Sequence, residues 1–167
     1  MADAPKGKGF FGRGGAWVLA QFVLLASVIV TAAMFHEQAM WPGARILGTV
    51  LMFLSGVFGI SGVRILGRNT TPFPHPLDGS HLVQTGIYGR VRHPLYTSVM
   101  LGSLGWALVW NSWLALLPAL ILIPFFQAKV RHEESRLREK FPEYADYARR
   151  VPRFIPRFCR PANPARK

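Results

Sequence analysis

Two short polar segments hold most of the side chains able to do chemistry. The first, Arg92-His93-Pro94-Leu95-Tyr96, offers a guanidinium, an imidazole and a phenol at the start of a long apolar run. The second contains Glu133 and Glu134, followed by Tyr144, Tyr147 and Arg153. Carboxylates and imidazoles are the usual groups of acid and base work, and arginines draw anions. Each segment also has a plainer reading. A single Arg and His at a membrane edge commonly anchor headgroups. Glu134 shares a helical stripe with Val130, Leu137 and Phe141 and stands one turn before Arg138, so on periodicity alone the acidic pair reads as a solvated face with surface ion pairs. Tyr144, Tyr147 and Val151 follow at helical spacing, and taken singly such aromatics are core.

The elements that must position these groups are apolar. Residues 16–35 are interrupted only by Gln21, Ser27 and Thr31 and read as a first membrane span, since a helix needs roughly 20 such residues to cross a bilayer core. Residues 46–66 form a second, with Arg64 near its end where a long side chain can snorkel. Gly48, Ser55, Gly56, Gly59 and Gly62 in that span suit close helix packing better than ligand contact. Residues 95–126 carry no charge, and as one helix they would reach about 48 Å, too long for one crossing. Asn111-Ser112, between Trp110 and Trp113, is therefore expected to turn a hairpin of two spans, 95–110 and 113–126, with Pro118 and Pro124 kinking the second.

Charge sets the orientation. Lys6, Lys8 and Arg13 lie in the N-terminal segment 1–15, and Arg68, Arg90 and Arg92 in or beside the loop 69–94. Twelve of the twenty Lys and Arg residues lie from Lys129 onward, across the helix-like segment 127–156 and the basic tail 157–167. Short basic loops mark the cytoplasmic side. The expectation is a single all-α domain, 1–167: an integral membrane bundle of four transmembrane helices with both termini cytoplasmic, in the inner membrane if the host is bacterial. Its C-terminal helices would complete a pocket with the loop before residue 95, because the hairpin brings these two polar segments together.

Composition narrows the function classes. The net charge of +12 suits RNA as well as an anionic membrane, but the charge is segregated from long apolar runs rather than spread, so no nucleic-acid partner is expected. The lone Cys159 forms no internal disulfide and is not a C-terminal prenylation box, and no Cys and His cluster has zinc spacing, so no metal is expected. Gly7-Lys8-Gly9-Phe10-Phe11-Gly12 is formally G-x-G-x-x-G but lacks the strand that a dinucleotide fingerprint requires.

The segment Gly86-Ile87-Tyr88-Gly89-Arg90-Val91-Arg92-His93-Pro94-Leu95-Tyr96, an apolar hairpin, and then Glu133, Glu134, Leu137, Phe141, Tyr144, Tyr147, Val151-Pro152-Arg153 and Pro156 resemble the isoprenylcysteine carboxyl methyltransferase family. Phospholipid N-methyltransferases share the general pattern, and Asn69-Thr70-Thr71-Pro72-Phe73-Pro74-His75-Pro76 is similar to prokaryotic members. The resemblance covers about half the chain. It implies S-adenosyl-L-methionine as cofactor, held without a Rossmann domain between the start of the third span and the helix after the fourth. It matches His93, Pro94 and Tyr96 to the pocket lining and Gly86 to Tyr88 to a strand-like wall. Glu133 and Glu134 match the acidic pair that meets the cofactor, and Tyr144 and Tyr147 would close the cytoplasmic side. Where some members carry an Arg about a turn before the acidic pair, this sequence offers Lys129 and Arg131.

Transfer of a sulfonium methyl to a carboxylate rests on alignment and field. Arg92, Arg131 or Arg153 would draw a carboxylate acceptor; an amine acceptor would need a base, for which Glu133, Glu134 or His93 would serve. The resemblance thus implies methylation of a lipophilic acceptor entering from the bilayer, first the carboxyl group of an isoprenylcysteine-like substrate. A phospholipid N-methyltransferase ranks second. A sterol-type reductase fits the tail residues less well, and a basic scaffold on anionic lipid leaves the paired motifs unexplained.

Overall fold

A computed structural model of the chain describes residues 14–36, 42–67 and 81–156. Lys6, Lys8, Arg13, the glycines before it, Arg68, the stretch from Asn69 to Pro76, Cys159 and the basic tail lie outside the described residues. The described residues form α1 (Gly15–Met34), α2 (Pro42–Leu66), α3 (Pro94–Val109), α4 (Trp113–Lys140) and α5 (Tyr144–Arg150), with a 3-10 turn at Gly86–Gly89 and no strand. α1, α2 and α4 are long and apolar enough to cross a membrane. α3, with 16 residues, extends about 24 Å and falls short of a full hydrocarbon core. Large apolar side chains stand outward on the long helices, among them Phe22 and Ile29 on α1, Ile46, Phe53 and Ile60 on α2, and Leu117 and Leu120 on α4. A surface of that kind belongs against lipid.

The hairpin forms where Asn111-Ser112 predicts it. Asn111 takes a left-handed backbone, φ 52°, which Asn tolerates better than most residues. Ser112 caps α4 by accepting from the Ala115 amide at 3.3 Å. Two sequence expectations change. α2 begins at Pro42 rather than residue 46, because proline suits the first helical turn, whose amides lack partners in any case. The span 113–126 and the helix expected after it are one helix, since α4 runs unbroken to Lys140 with Pro118 and Pro124 inside it. The sequence turns polar at Gln127, and the helix crosses that point without a break.

α1, α3 and α4 share a core of Val28, Met100, Ala119, Leu122 and Phe126. α2 docks on α3 differently, through backbone. A Cβ at Gly105 would lie 2.8 Å from the Gly48 carbonyl oxygen and 2.9 Å from the Met52 amide nitrogen, so both helices approach where only glycine fits. Ser55 and Ser98 tie the same seam reciprocally, each hydroxyl donating to the other's carbonyl at 2.8 Å.

Candidate functional site

Just before α3 the chain is held by the segment that follows α5. The Arg92 amide donates to the Pro152 carbonyl at 2.9 Å and the His93 amide to the Arg153 carbonyl at 3.0 Å, while the Thr97 hydroxyl donates to the Phe154 carbonyl at 3.0 Å. This clamp draws Arg92, His93 and Arg153 to the polar end of α4, where Glu133 and Glu134 stand side by side.

The two carboxylates are in unlike surroundings. Glu134 is fully buried. Its Oε1 accepts from Arg92 Nη2 at 2.8 Å, and its Oε2 from Arg153 Nη2 at 2.8 Å, with Arg153 Nε 3.2 Å from both oxygens. His93 Nε2 lies 3.4 Å from Oε1 and Arg138 Nη2 3.5 Å from Oε2. A buried carboxylate needs such compensation. Glu133 keeps 22% of its side chain exposed, and its Oε2 accepts from the Tyr96 hydroxyl at 2.7 Å with His93 Nδ1 at 4.0 Å. The solvated-face reading of the acidic pair is thus overturned for Glu134, although its pair with Arg138 one turn on is present; the headgroup-anchor reading of Arg92 and His93 falls as well, since both are turned inward. Apart from Arg138, the cations around Glu134 come from distant parts of the chain, which local periodicity does not register.

Arg92 is an organiser as well as a partner. Besides Glu134 it donates through Nη1 to the carbonyls of Ala148 and, at 2.9 Å, Val151, so it ties α5 and the following segment to α4. Arg153 binds Glu134 but leaves 37% of its side chain exposed; those hydrogen bonds push its pKa up from the ordinary arginine value. Arg131 is exposed on α4 and joins no contact of the cluster among the described residues.

Aromatic rings line the same region. His93 stacks on Tyr96 at 5.6 Å and 7°, and Tyr96 stacks on Phe126 at 4.8 Å. Pro94 is buried at the first position of α3. Tyr144, Tyr147 and Val151 form a buried cluster with Leu82, Leu137, Phe141 and Ala148 beside it. The Tyr147 hydroxyl is committed to the Tyr88 carbonyl at 2.6 Å. Burial pushes the phenols of Tyr88, Tyr144 and Tyr147 well above the usual tyrosine range, so they remain donors. The Gly86 to Tyr88 wall is a 3-10 turn and not strand-like. Gly86 starts it at φ +58°, and a Cβ there would run into Ile65 Cδ1, so the glycine serves backbone shape and contact with α2.

The donor set suits a ligand that is cationic at one point and rich in acceptors elsewhere. Glu133 supplies a partly exposed carboxylate, while Tyr144 Oη and Arg92 Nε are buried without a hydrogen-bond partner among the described residues. Orphaned buried donors are uncommon in proteins, and a bound acceptor would satisfy them. The sequence offered Lys129 only as a cation near the acidic pair, and its partner on α1 escaped that reading. Lys129, fully buried, donates to Gln21 Oε1 of α1 at 2.6 Å and lies 5.2 Å from the Tyr96 ring centroid. The available signal was Gln21 itself, a polar residue inside an apolar span.

Helices of membrane length that converge on a buried ionic cluster and an aromatic wall define a membrane-helix protein with a polar site at one end of its bundle. The chain belongs to the phospholipid methyltransferase family, which matches residues 44–144. It is 32% identical over 155 residues to the nickel-cobalt-cadmium resistance protein NccN of Alcaligenes xylosoxydans xylosoxydans, covering 87% of this chain and 65% of that protein. It is 31% identical to the cobalt-zinc-cadmium resistance protein CzcN of Cupriavidus metallidurans, again over 87% of this chain and 64% of the relative. The chain therefore spans a little under two thirds of these relatives' lengths. Protein-S-isoprenylcysteine O-methyltransferase B of Arabidopsis thaliana is 26% identical, covering 83% of this chain and 76% of the plant protein. α1 and Arg153 both lie outside the family match.

Proposed function

We propose that the chain is an integral membrane methyltransferase that uses S-adenosyl-L-methionine and acts on a lipophilic acceptor, first the carboxyl group of an isoprenylcysteine-like substrate. The observation that carries the reading is the meeting of the Arg92 to Tyr96 segment with Glu133 and Glu134 across the hairpin, in a chain of the phospholipid methyltransferase family. In this reading α3 is the fourth span, beside α1, α2 and α4, and the polar end of α4 faces the cytoplasm.

The residues divide the work by what is left of them. Glu134 is saturated by protein cations, so it holds the wall together rather than meeting a ligand. Glu133, His93, Tyr96 and Tyr144 would hold the cofactor, with Glu133 toward its cationic or hydroxyl groups. When bound, that cofactor supplies an electrophilic methyl on a sulfonium. Arg92 is spent on Glu134 and two carbonyls, which leaves Arg153, partly exposed, as the cation to orient an acceptor carboxylate. Such a centre works by alignment and by a field set in advance of the reaction.

Calorimetric titration of the detergent-purified protein with S-adenosylhomocysteine tests the cofactor, with binding expected and absence of heat at millimolar ligand overturning the reading. Glu133→Gln should weaken that binding about tenfold, the loss of one charge-assisted contact. Transfer of labelled methyl to farnesylcysteine analogues, compared with phosphatidylethanolamine, tests the acceptor. Labelling of the lipid alone would replace the carboxyl reading by the phospholipid one.

A further inference from the structure

Gln21 is the one amide side chain in the apolar run of α1, and a lipid-facing position would leave it without hydrogen bonds. It is instead half-buried against α4 and accepts from the Lys129 ammonium at 2.6 Å. Lys129 has no exposed surface, so it reaches neither water nor headgroups. A charge in that position requires partners, and the geometry supplies a chain of them. The ammonium lies 5.2 Å from the Tyr96 ring centroid, within cation–π range. The Tyr96 hydroxyl in turn donates to Glu133 Oε2 at 2.7 Å, and the same ring stacks on His93. Lys129 and Glu133 are also one turn apart on α4, so the cation and the carboxylate flank the phenol from one helix.

We propose that Gln21 and Lys129 are positioning residues of the cofactor site: the pair fixes the Tyr96 ring, and through its hydroxyl the Glu133 carboxylate, so that α1 takes part in cofactor binding through Gln21. The inference rests on the methyltransferase reading and extends its site to a helix outside the family match. It also gives Lys129 a role distinct from meeting the acceptor, which its burial denies it.

The test measures S-adenosylhomocysteine affinity and thermal midpoint together, in detergent, for the wild type and a small set of variants. Lys129→Met, which keeps the length and removes the charge, is expected to weaken binding about tenfold, and Gln21→Leu about three- to tenfold, both within the roughly two- to thirtyfold that cation–π contacts cover. Lys129→Arg should restore binding to within about threefold, because a guanidinium can keep both the amide and the ring. Combining Gln21→Leu with Lys129→Met should be no worse than Lys129→Met alone, since the two act along one path. Ser27→Ala, on α1 away from the pair, should leave affinity unchanged.

Losses that multiply in the double variant would overturn the shared path. Variants whose midpoints fall while the folded protein binds with wild-type affinity would reduce the pair to a structural tie and overturn the proposal. Gln21→Leu keeps the test decisive if Lys129→Met does not fold. A wild type that binds no S-adenosylhomocysteine overturns both this inference and the reading beneath it; a wild type that binds, with every variant binding alike, overturns this inference alone.

Discussion

Two of the contacts that α3 makes are of opposite character. Along its length it meets α2 through glycines and two serines, with backbone against backbone. At its first turn it meets α4 and the segment after α5 through Arg92, His93, Tyr96, Glu133, Glu134 and Arg153. The seam offers small residues because lipid gives no hydrophobic reward for association, so only close approach and hydrogen bonds hold it. The cluster holds several charges together because a buried carboxylate such as Glu134 is tolerated only where cations and hydrogen bonds compensate it. The difference teaches that the seam tolerates no added atoms, whereas the cluster tolerates no lost ones.

Removing an atom set from the cluster should give the largest effect. Glu134→Ala leaves Arg92 and Arg153 facing each other without their shared carboxylate, and breaking one partner of a buried ion pair costs about 3–5 kcal/mol. The expected outcome is a steep fall in the thermal midpoint together with loss of S-adenosylhomocysteine binding. A Glu134→Ala protein as stable as the wild type would mean that the cluster is not what holds the C-terminal segment on α3.

Adding an atom to the seam comes next. Gly105→Ala sets a methyl carbon 2.8 Å from the Gly48 carbonyl oxygen, a backbone atom that cannot rotate away. Overpacking of this kind costs about 1–3 kcal/mol. Because the seam lies apart from the cluster, the folded fraction should bind S-adenosylhomocysteine with wild-type affinity. A change in affinity as large as the change in stability would show that the two contacts of α3 are coupled.

The seam was far more legible in the sequence than the cluster. Gly48, Gly59 and Gly62 announce close packing by residue type, and Asn111-Ser112 between tryptophans announces the hairpin, so local chemistry sufficed. The unbroken course of α4 was missed because the turn from apolar to polar residues at Gln127 looks like the end of an element. In the cluster, the stripe of Val130, Glu134 and Leu137 was visible, but its meaning depended on cations from before α3 and after α5. The pairing of the Arg92 and His93 amides with residues 152 and 153 is tertiary and leaves no local trace. The strand-like wall at Gly86 to Tyr88 was implied by the family resemblance alone, and the backbone there is a 3-10 turn that Gly86 starts with positive φ.

The smallest effect isolates what the seam is made of. Gly56 lies on the same helix as Gly48 and within the same run of small residues, yet a Cβ there would meet nothing within 4 Å. Glycine inside a helix costs about 0.5–1 kcal/mol relative to alanine through backbone entropy. Gly56→Ala should therefore stabilise the protein slightly, the opposite sign to Gly105→Ala for the same chemical change. Thermal midpoints of the two variants, taken in one detergent, check this directly. If Gly56→Ala destabilises as much as Gly105→Ala does, then the outer face of α2 is covered by something beyond lipid, and small residues along the whole helix, rather than its α3 face alone, are in use.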